Sequence, residues 1–106
     1  MEVLCAANAY IQKYFFNDDF ALLPEQVQEE LKILCVTFTE EVGGIFLLAF
    51  DENGNLQIRT EAAEEDALYD EIESGLKVKQ IREGKEELFR SLEMFYQVFS
   101  QPPEDF

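Results

Sequence analysis

The chain has 106 residues, of which 23 are acidic and 8 basic, so its net charge at neutral pH is −15. A surface this negative repels the phosphates of nucleic acids and anionic lipids, and we expect neither nucleic acid nor membrane to be a partner. The length suits one domain, 1–106, and ten phenylalanines in a composition that is 47% hydrophobic supply enough apolar surface for one core.

The cysteine content and the N-terminus indicate a reducing compartment. Cys5 and Cys35 form neither a zinc-binding nor a redox pattern, and two cysteines are too few for a disulfide framework. They fit buried free thiols. Residues 1–17 lack the basic start and apolar run of a signal peptide, and no segment is apolar over the roughly 20 residues that span a bilayer. We therefore expect a cytoplasmic protein.

The first candidate element is a strand from Tyr10 to Phe16. Its β-forming residues end at the turn sequence Asn17-Asp18-Asp19. A helix is the alternative, because Ala6-Ala7-Asn8-Ala9 leads into the same segment.

A helix is predicted from about residue 24 to residue 42. Pro24 suits the first helical position, and Gly43-Gly44 is a typical C-terminal stop. Between them one apolar stripe recurs at helical spacing: Val27, Leu31, Leu34, Cys35, Phe38 and Val42. Ile33 and Val36 lie off this stripe, which would allow burial of the helix on two sides.

A β-hairpin is predicted over residues 45–60. An apolar run, Ile45–Phe50, is followed by the turn sequence Asp51-Glu52-Asn53-Gly54 and then by a strand in which apolar and polar residues alternate. A two-residue turn at Asn53-Gly54 would place apolar residues opposite polar ones. A type I turn with a bulge at Gly54 instead pairs Phe50 with Leu56, and the sequence favours this second register.

The first strand of this hairpin is apolar on both faces. Ile45, Leu47 and Ala49 point away from the face that carries Leu48. A strand of this kind is normally covered on both faces, so these three residues need a cover. The Tyr10 segment, a helix or another subunit would supply it, and the three residues are candidates for an interaction surface.

Helices are predicted from about residue 64 to residue 100. One face of a first segment is marked by Ala67, Leu68, Ile72 and Leu76. A seam of alternating three- and four-residue steps follows: Val78, Ile81, Leu88, Leu92, Phe95 and Phe99. A short strand over residues 76–81, between Gly75 and Gly84, is the alternative. The proline-containing tail 101–105 is expected to fray.

Motifs for catalysis are missing from the sequence. The chain has no histidine, the commonest general base and metal ligand and the base of Ser-His and Cys-His nucleophiles. Its glycines form neither a phosphate-binding loop nor a dinucleotide-binding motif. The sequence therefore favours a protein that is not an enzyme, and no cofactor is predicted.

The acidic run from Glu61 to Glu73 suggests the one candidate metal site. If the segment is helical, Asp66, Asp70 and Glu73 share a face, and adjacent carboxylates can collect Mg²⁺ or Mn²⁺. The simpler interpretation is a solvated helix start whose acids suit the helix dipole. Four bases follow the run and are expected to pair with its acids: Lys77, Lys79, Arg82 and Lys85.

Four stretches carry a family resemblance: Cys5–Tyr10, Lys13-Tyr14, Phe38–Gly44 and Leu68–Ile72. Together they resemble an uncharacterised family of small proteins from anaerobic Gram-positive bacteria, over nearly the whole chain. The resemblance implies a bacterial, cytoplasmic, stand-alone domain and brings no activity or site. Tyr10 and Tyr14, in a polar and aromatic group, are further candidates for a binding surface.

These observations predict an α+β fold. A small antiparallel sheet with the hairpin of residues 45–60 packs against the helix of residues 24–42 and C-terminal helices over 64–100. The favoured function is a protein-interaction module, with a protein partner or as a homodimer. The alternatives are a carboxylate site for a divalent metal or cationic ligand, and an acidic mimic of nucleic acid that binds a basic protein.

Overall fold

The computed structural model describes residues 1–100, in which a four-stranded antiparallel sheet carries a layer of helices. The elements in chain order are β1 (Glu2–Asn8), β2 (Lys13–Phe16), a 3₁₀ turn (Asp18–Phe20), α1 (Glu25–Glu41), β3 (Ile45–Phe50), β4 (Leu56–Glu61), α2 (Glu71–Gly84) and α3 (Glu86–Ser100). The strand order is β2-β1-β3-β4. The predicted α+β class is confirmed, and the expected fraying of 101–105 lies outside the described residues.

The β3–β4 hairpin has the register that apolar pairing favoured, with Phe50 opposite Leu56. Its turn is held by the Asp51 carboxylate, which accepts hydrogen bonds from the backbone N–H groups of Asn53 and Asn55, each at 2.9 Å. The Asn55 N–H is the main cause that keeps the pKa of the Asp51 carboxyl below its ordinary value. Gly54 has a φ of +82°, the left-handed conformation of the predicted bulge.

The N-terminal segment differs from the prediction. Tyr10 to Gln12 lie in the turn between β1 and β2, and Gln12 has a left-handed φ of +52° that suits such a turn. The strand begins only at Lys13. β1 was not predicted. Ala6, Ala7 and Asn8, which lead into the alternative helix, belong to this strand, so the helix is wrong there. β1 lies between β2 and β3, so it gains its conformation from pairing on both edges.

Helix α1 follows Pro24, which occupies the N-cap instead of the first helical position, and it ends before Gly43-Gly44. Its buried apolar residues, Leu31, Cys35 and Phe38, come from the predicted stripe, and Thr39 is buried beside them. Ile33 is 61% exposed. The prediction that α1 could be buried on two sides is therefore wrong at Ile33. The helix packs on the sheet with one side and exposes the other to solvent.

The C-terminal helices begin later than predicted. Residues 64–70 form turns, and Leu68 is 93% exposed. The helix begins at Glu71 because the Asp70 carboxylate caps it, accepting from the N–H groups of Ile72 and Glu73. Residues 76–81 are helical, so the alternative strand there is wrong.

Two lysines of α2 form salt bridges to α1. Lys77 Nζ lies 2.7 Å from a carboxylate oxygen of Glu41, and Lys85 Nζ lies 3.0 Å from one of Glu30. Both lysines thus take their salt-bridge partners from α1 instead of from the acidic run, although Glu73 of the run also attracts Lys77 electrostatically. The contacts fasten α2 alongside α1.

The core lies between the helix layer and one face of the sheet. Phe46 and Phe50 of β3 are buried on this face. Phe38 of α1 packs on Phe46 with ring centroids 4.6 Å apart, and Tyr96 of α3 stacks on Phe50 at 4.1 Å. The apolar seam that reaches from Val78 of α2 to Phe95 of α3 packs against the same core, whereas Phe99 is 58% exposed. All three described helices therefore pack on one face of the sheet.

Candidate interaction face

The other face of the sheet carries no helix within residues 1–100, and we call it the open face. Cross-strand partners point to the same side of a sheet, so the strand register identifies its members. They are Val3, Ala6 and Asn8 of β1, Lys13 and Phe15 of β2, Ile45, Leu47 and Ala49 of β3, and Gln57, Arg59 and Glu61 of β4. None of the apolar members belongs to the core cluster or packs against it.

The open face is apolar in its centre. Phe15 is 54% exposed, and Ile45 and Leu47 are partly exposed. Ala49 lies on the same face, but its neighbours enclose it fully, so it offers no accessible surface of its own. Of the three predicted interaction residues on β3, Ile45 and Leu47 thus present their side chains to solvent.

Two rows of side chains cross the open face from edge to edge. The first row consists of Lys13, Asn8, Ile45 and Glu61, and the second row consists of Phe15, Ala6, Leu47 and Arg59. The charged members are two bases and one acid, in a chain whose net charge is −15. The open face is therefore close to neutral, with Lys13 on one edge strand and Arg59 and Glu61 on the other.

Tyr10 fastens a loop at the end of the sheet and does not lie on the open face. Its hydroxyl donates to Asp66 Oδ2 at 2.6 Å and accepts from the backbone N–H of Ala63 at 2.9 Å. The hydrogen bond to Asp66 raises the pKa of the Tyr10 hydroxyl above its ordinary value. Because the folded pKa is raised, the bond is fully present below about pH 10 and is lost as the pH rises through the folded pKa.

We expect Tyr10→Phe to free the loop of residues 62–70 while the sheet stays intact. The variant removes the acceptor of the Ala63 N–H and the donor to Asp66, and both groups then face water. Amide hydrogen exchange at Ala63 should accelerate relative to wild type, with Tyr69→Phe as the control because its hydroxyl bonds Ser74 at 2.7 Å instead. Unchanged protection at Ala63 in the Tyr10 variant would show that the loop is held by other contacts.

Tyr14 is partly buried and packs against the core. Its hydroxyl is buried without a hydrogen-bond partner among the described residues, and burial, reinforced by the neighbouring thiols, raises its pKa. Those thiols, Cys5 and Cys35, are fully buried and reduced, with Sγ atoms 3.6 Å apart. The hydrogen bond to Cys5 and burial raise the pKa of Cys35, which keeps its thiol protonated. The prediction of buried free thiols is confirmed.

The three candidate metal ligands do not share a helix face. Asp66 lies in the loop bound to Tyr10, Asp70 is the N-cap of α2, and Glu73 is exposed in the first turn of α2. Both aspartates already accept backbone N–H groups, Asp66 from Leu68 and Asp70 from its helix. Within the described part of the chain no three carboxylate or thiol side chains are grouped so that they could hold a metal ion. The predicted common face is wrong because the helix starts at Glu71.

The comparisons with known proteins identify a family and no characterised relative. A family model described as a family of unknown function, DUF6145, matches residues 1–104. No curated protein and no solved structure matches the chain. The resemblance to an uncharacterised family is thereby confirmed. Among residues 1–100, none of the helices combines the length and the apolar character needed to cross a membrane.

Proposed function

The chain belongs to this family of unknown function, which lends it no activity, and we propose that it is a non-enzymatic interaction module that self-associates through the open face of its sheet. The observation that carries the proposal is the placement of all described helices on one face of the sheet. Strand β3 is apolar on both faces, and only one of them is covered. A second copy, set against the open face, supplies the missing cover for Ile45 and Leu47.

The charge distribution favours the open face over the rest of the surface as the contact between copies. Two molecules of net charge −15 repel each other when acidic surfaces approach. The open face carries Lys13 and Arg59 against Glu61, so two open faces meet without that repulsion. An apolar centre within a nearly neutral border is typical of a protein interface.

Leu47→Glu is expected to dissociate the dimer. Leu47 lies in the middle of the open face between Ala6 and Arg59, and it makes no contact with the core. A carboxylate at the centre of the contact would be buried without a partner, which costs about 3 kcal/mol or more and weakens association at least roughly a hundredfold. Sedimentation equilibrium over a wide concentration range measures the effect, and far-UV circular dichroism checks that the variant folds.

Ile33→Glu is the matched control for this experiment. It makes the same chemical change at an apolar residue that is more exposed but lies on α1, on the helix side of the molecule. We expect it to associate like wild type. A wild-type protein that sediments at the monomer mass at every concentration, or an Ile33→Glu variant that dissociates as Leu47→Glu does, would contradict self-association through the open face.

A further inference from the structure

Two copies of the open face complement each other in charge and volume when a two-fold axis along the strands relates them. We propose that the second copy packs on it across a two-fold axis that runs along the strands. This arrangement rests on the proposed self-association. Closed dimers of identical chains are related by a two-fold axis, and two sheets packed face to face keep their strands within about 30° of each other.

An axis along the strands keeps each row opposite the same row of the second copy and reverses the strand order. With the axis over the middle of the sheet, between β1 and β3, strand β2 lies over β4 of the second copy and β1 lies over its β3. Every contact occurs twice, because the two copies are equivalent. The side chains that meet can therefore be read from the strand register.

In the first row, this arrangement places Lys13 over Glu61 of the second copy. The reciprocal contact, Glu61 over Lys13, gives two pairs of opposite charge in each dimer. Within one chain these residues lie on the two edge strands with β1 and β3 between them, roughly 14 Å apart at the usual strand spacing. They are too distant to pair inside one molecule, so a second copy gives each its partner.

In the second row, the arrangement sets a small side chain against a large one. Ala6 lies over Leu47 of the second copy, so the side chains of the two sheets can interdigitate. At the edges of the same row, Phe15 lies over Arg59 of the second copy. The exposed Phe15 ring thereby meets a guanidinium group, which is the geometry of a cation–π contact.

The other two-fold arrangement of two facing sheets, with the axis across the strands, fits poorly. It places each strand over the same strand of the second copy. With this axis over the second row, which is the middle row of the open face, Arg59 meets Arg59. Leu47 then meets Leu47, and Ala6 meets Ala6, which leaves a crowded contact beside a gap. Like charges in contact and unmatched volumes both disfavour that arrangement.

Charge reversal at the first row tests the axis directly. In a Lys13→Glu or a Glu61→Lys variant, both attractive pairs of the dimer become repulsive, and we expect the dissociation constant to rise about tenfold. The double variant Lys13→Glu/Glu61→Lys has the net charge of the wild type and exchanges the partners. We expect its dissociation constant to return to within about threefold of the wild-type value.

Lys79→Glu is the control for net charge. Lys79 is exposed on α2, on the helix side of the sheet, so its reversal changes the charge as Lys13→Glu does without touching the contact. We expect its dissociation constant to stay near that of wild type. If the wild type dimerises but the double variant has a dissociation constant as high as those of the single variants, the proposed axis is wrong while self-association stands. A wild-type protein that is monomeric at every concentration would overturn both.

Discussion

Phe50→Ala is expected to lower the free energy of unfolding by about 4 kcal/mol, because the removed ring is a fully buried junction of three elements. Phe50 of β3 is 1% exposed. Its ring stacks on Tyr96 of α3 at 4.1 Å and lies 5.6 Å from the ring of Phe20 in the 3₁₀ turn. The cavity left behind has aromatic walls that cannot close easily. Urea denaturation at a fixed protein concentration measures the loss.

Phe99→Ala is the control for this experiment. Phe99 is 58% exposed near the end of α3 and packs only on the ring of Phe95 among the aromatic contacts of the described residues. Its truncation should cost less than about 1 kcal/mol, because solvent already reaches most of the side chain. Equal losses in the two variants would show that Phe50 is not at the centre of the core.

Gly44→Ala is expected to destabilise the protein by about 3 kcal/mol, from two causes that add. Gly44 has a φ of +71°, a left-handed conformation that costs alanine roughly 1 kcal/mol. A Cβ atom at this position would also lie 2.5 Å from the carbonyl oxygen of Glu61 and 2.7 Å from the ring of Tyr69. The carbonyl belongs to the backbone of β4 and cannot rotate away, so the paired strands must shift.

Gly43→Ala separates the two causes. Gly43 is also left-handed, with a φ of +91°, but a Cβ atom there would meet no other atom within 4 Å. Its variant should show only the backbone cost of about 1 kcal/mol in the same denaturation experiment. Two equal losses would mean that Gly44 is not in close contact with β4 and Tyr69.

The parts of the fold that the sequence predicts are those fixed by local chemistry. The β3–β4 register follows from the turn at Asp51 to Gly54 and from apolar pairing across it. Helix α1 is bounded by Pro24 and Gly43-Gly44, whose backbone preferences act within a few residues. These signals do not depend on what the rest of the chain does.

The parts that the sequence does not predict depend on distant residues or on competition within a segment. β1 contains Ala6 and Ala7, weak strand formers, and becomes a strand because β2 and β3 pair with both its edges. Ala67 and Leu68 share helical spacing with Ile72 and Leu76, which predicted a helix from residue 64. Asp66 and Asp70 nevertheless bind nearby backbone N–H groups, and such contacts compete with the helix until Glu71.

The open face was predicted only in part, for the same reason. The apolar pattern of β3 identifies Ile45, Leu47 and Ala49 as needing a cover, and it leaves the nature of the cover open. Lys13 and Arg59 join them only through the register of four strands, which no single segment specifies. Within the described chain, β1 and β2 lie beside β3 and the helices lie behind it, so another subunit is the cover that we propose.

The most direct test of the account is the solvent exposure of the open face as a function of protein concentration. Attenuation of methyl NMR signals by a soluble paramagnetic gadolinium chelate reports this exposure at single side chains. We predict that attenuation at Ile45 and Leu47 falls as the concentration rises, while the methyl groups of Leu68 and Ile72, which are 93% and 77% exposed, stay strongly attenuated. Attenuation at Leu47 that is the same at all concentrations would contradict self-association through the open face.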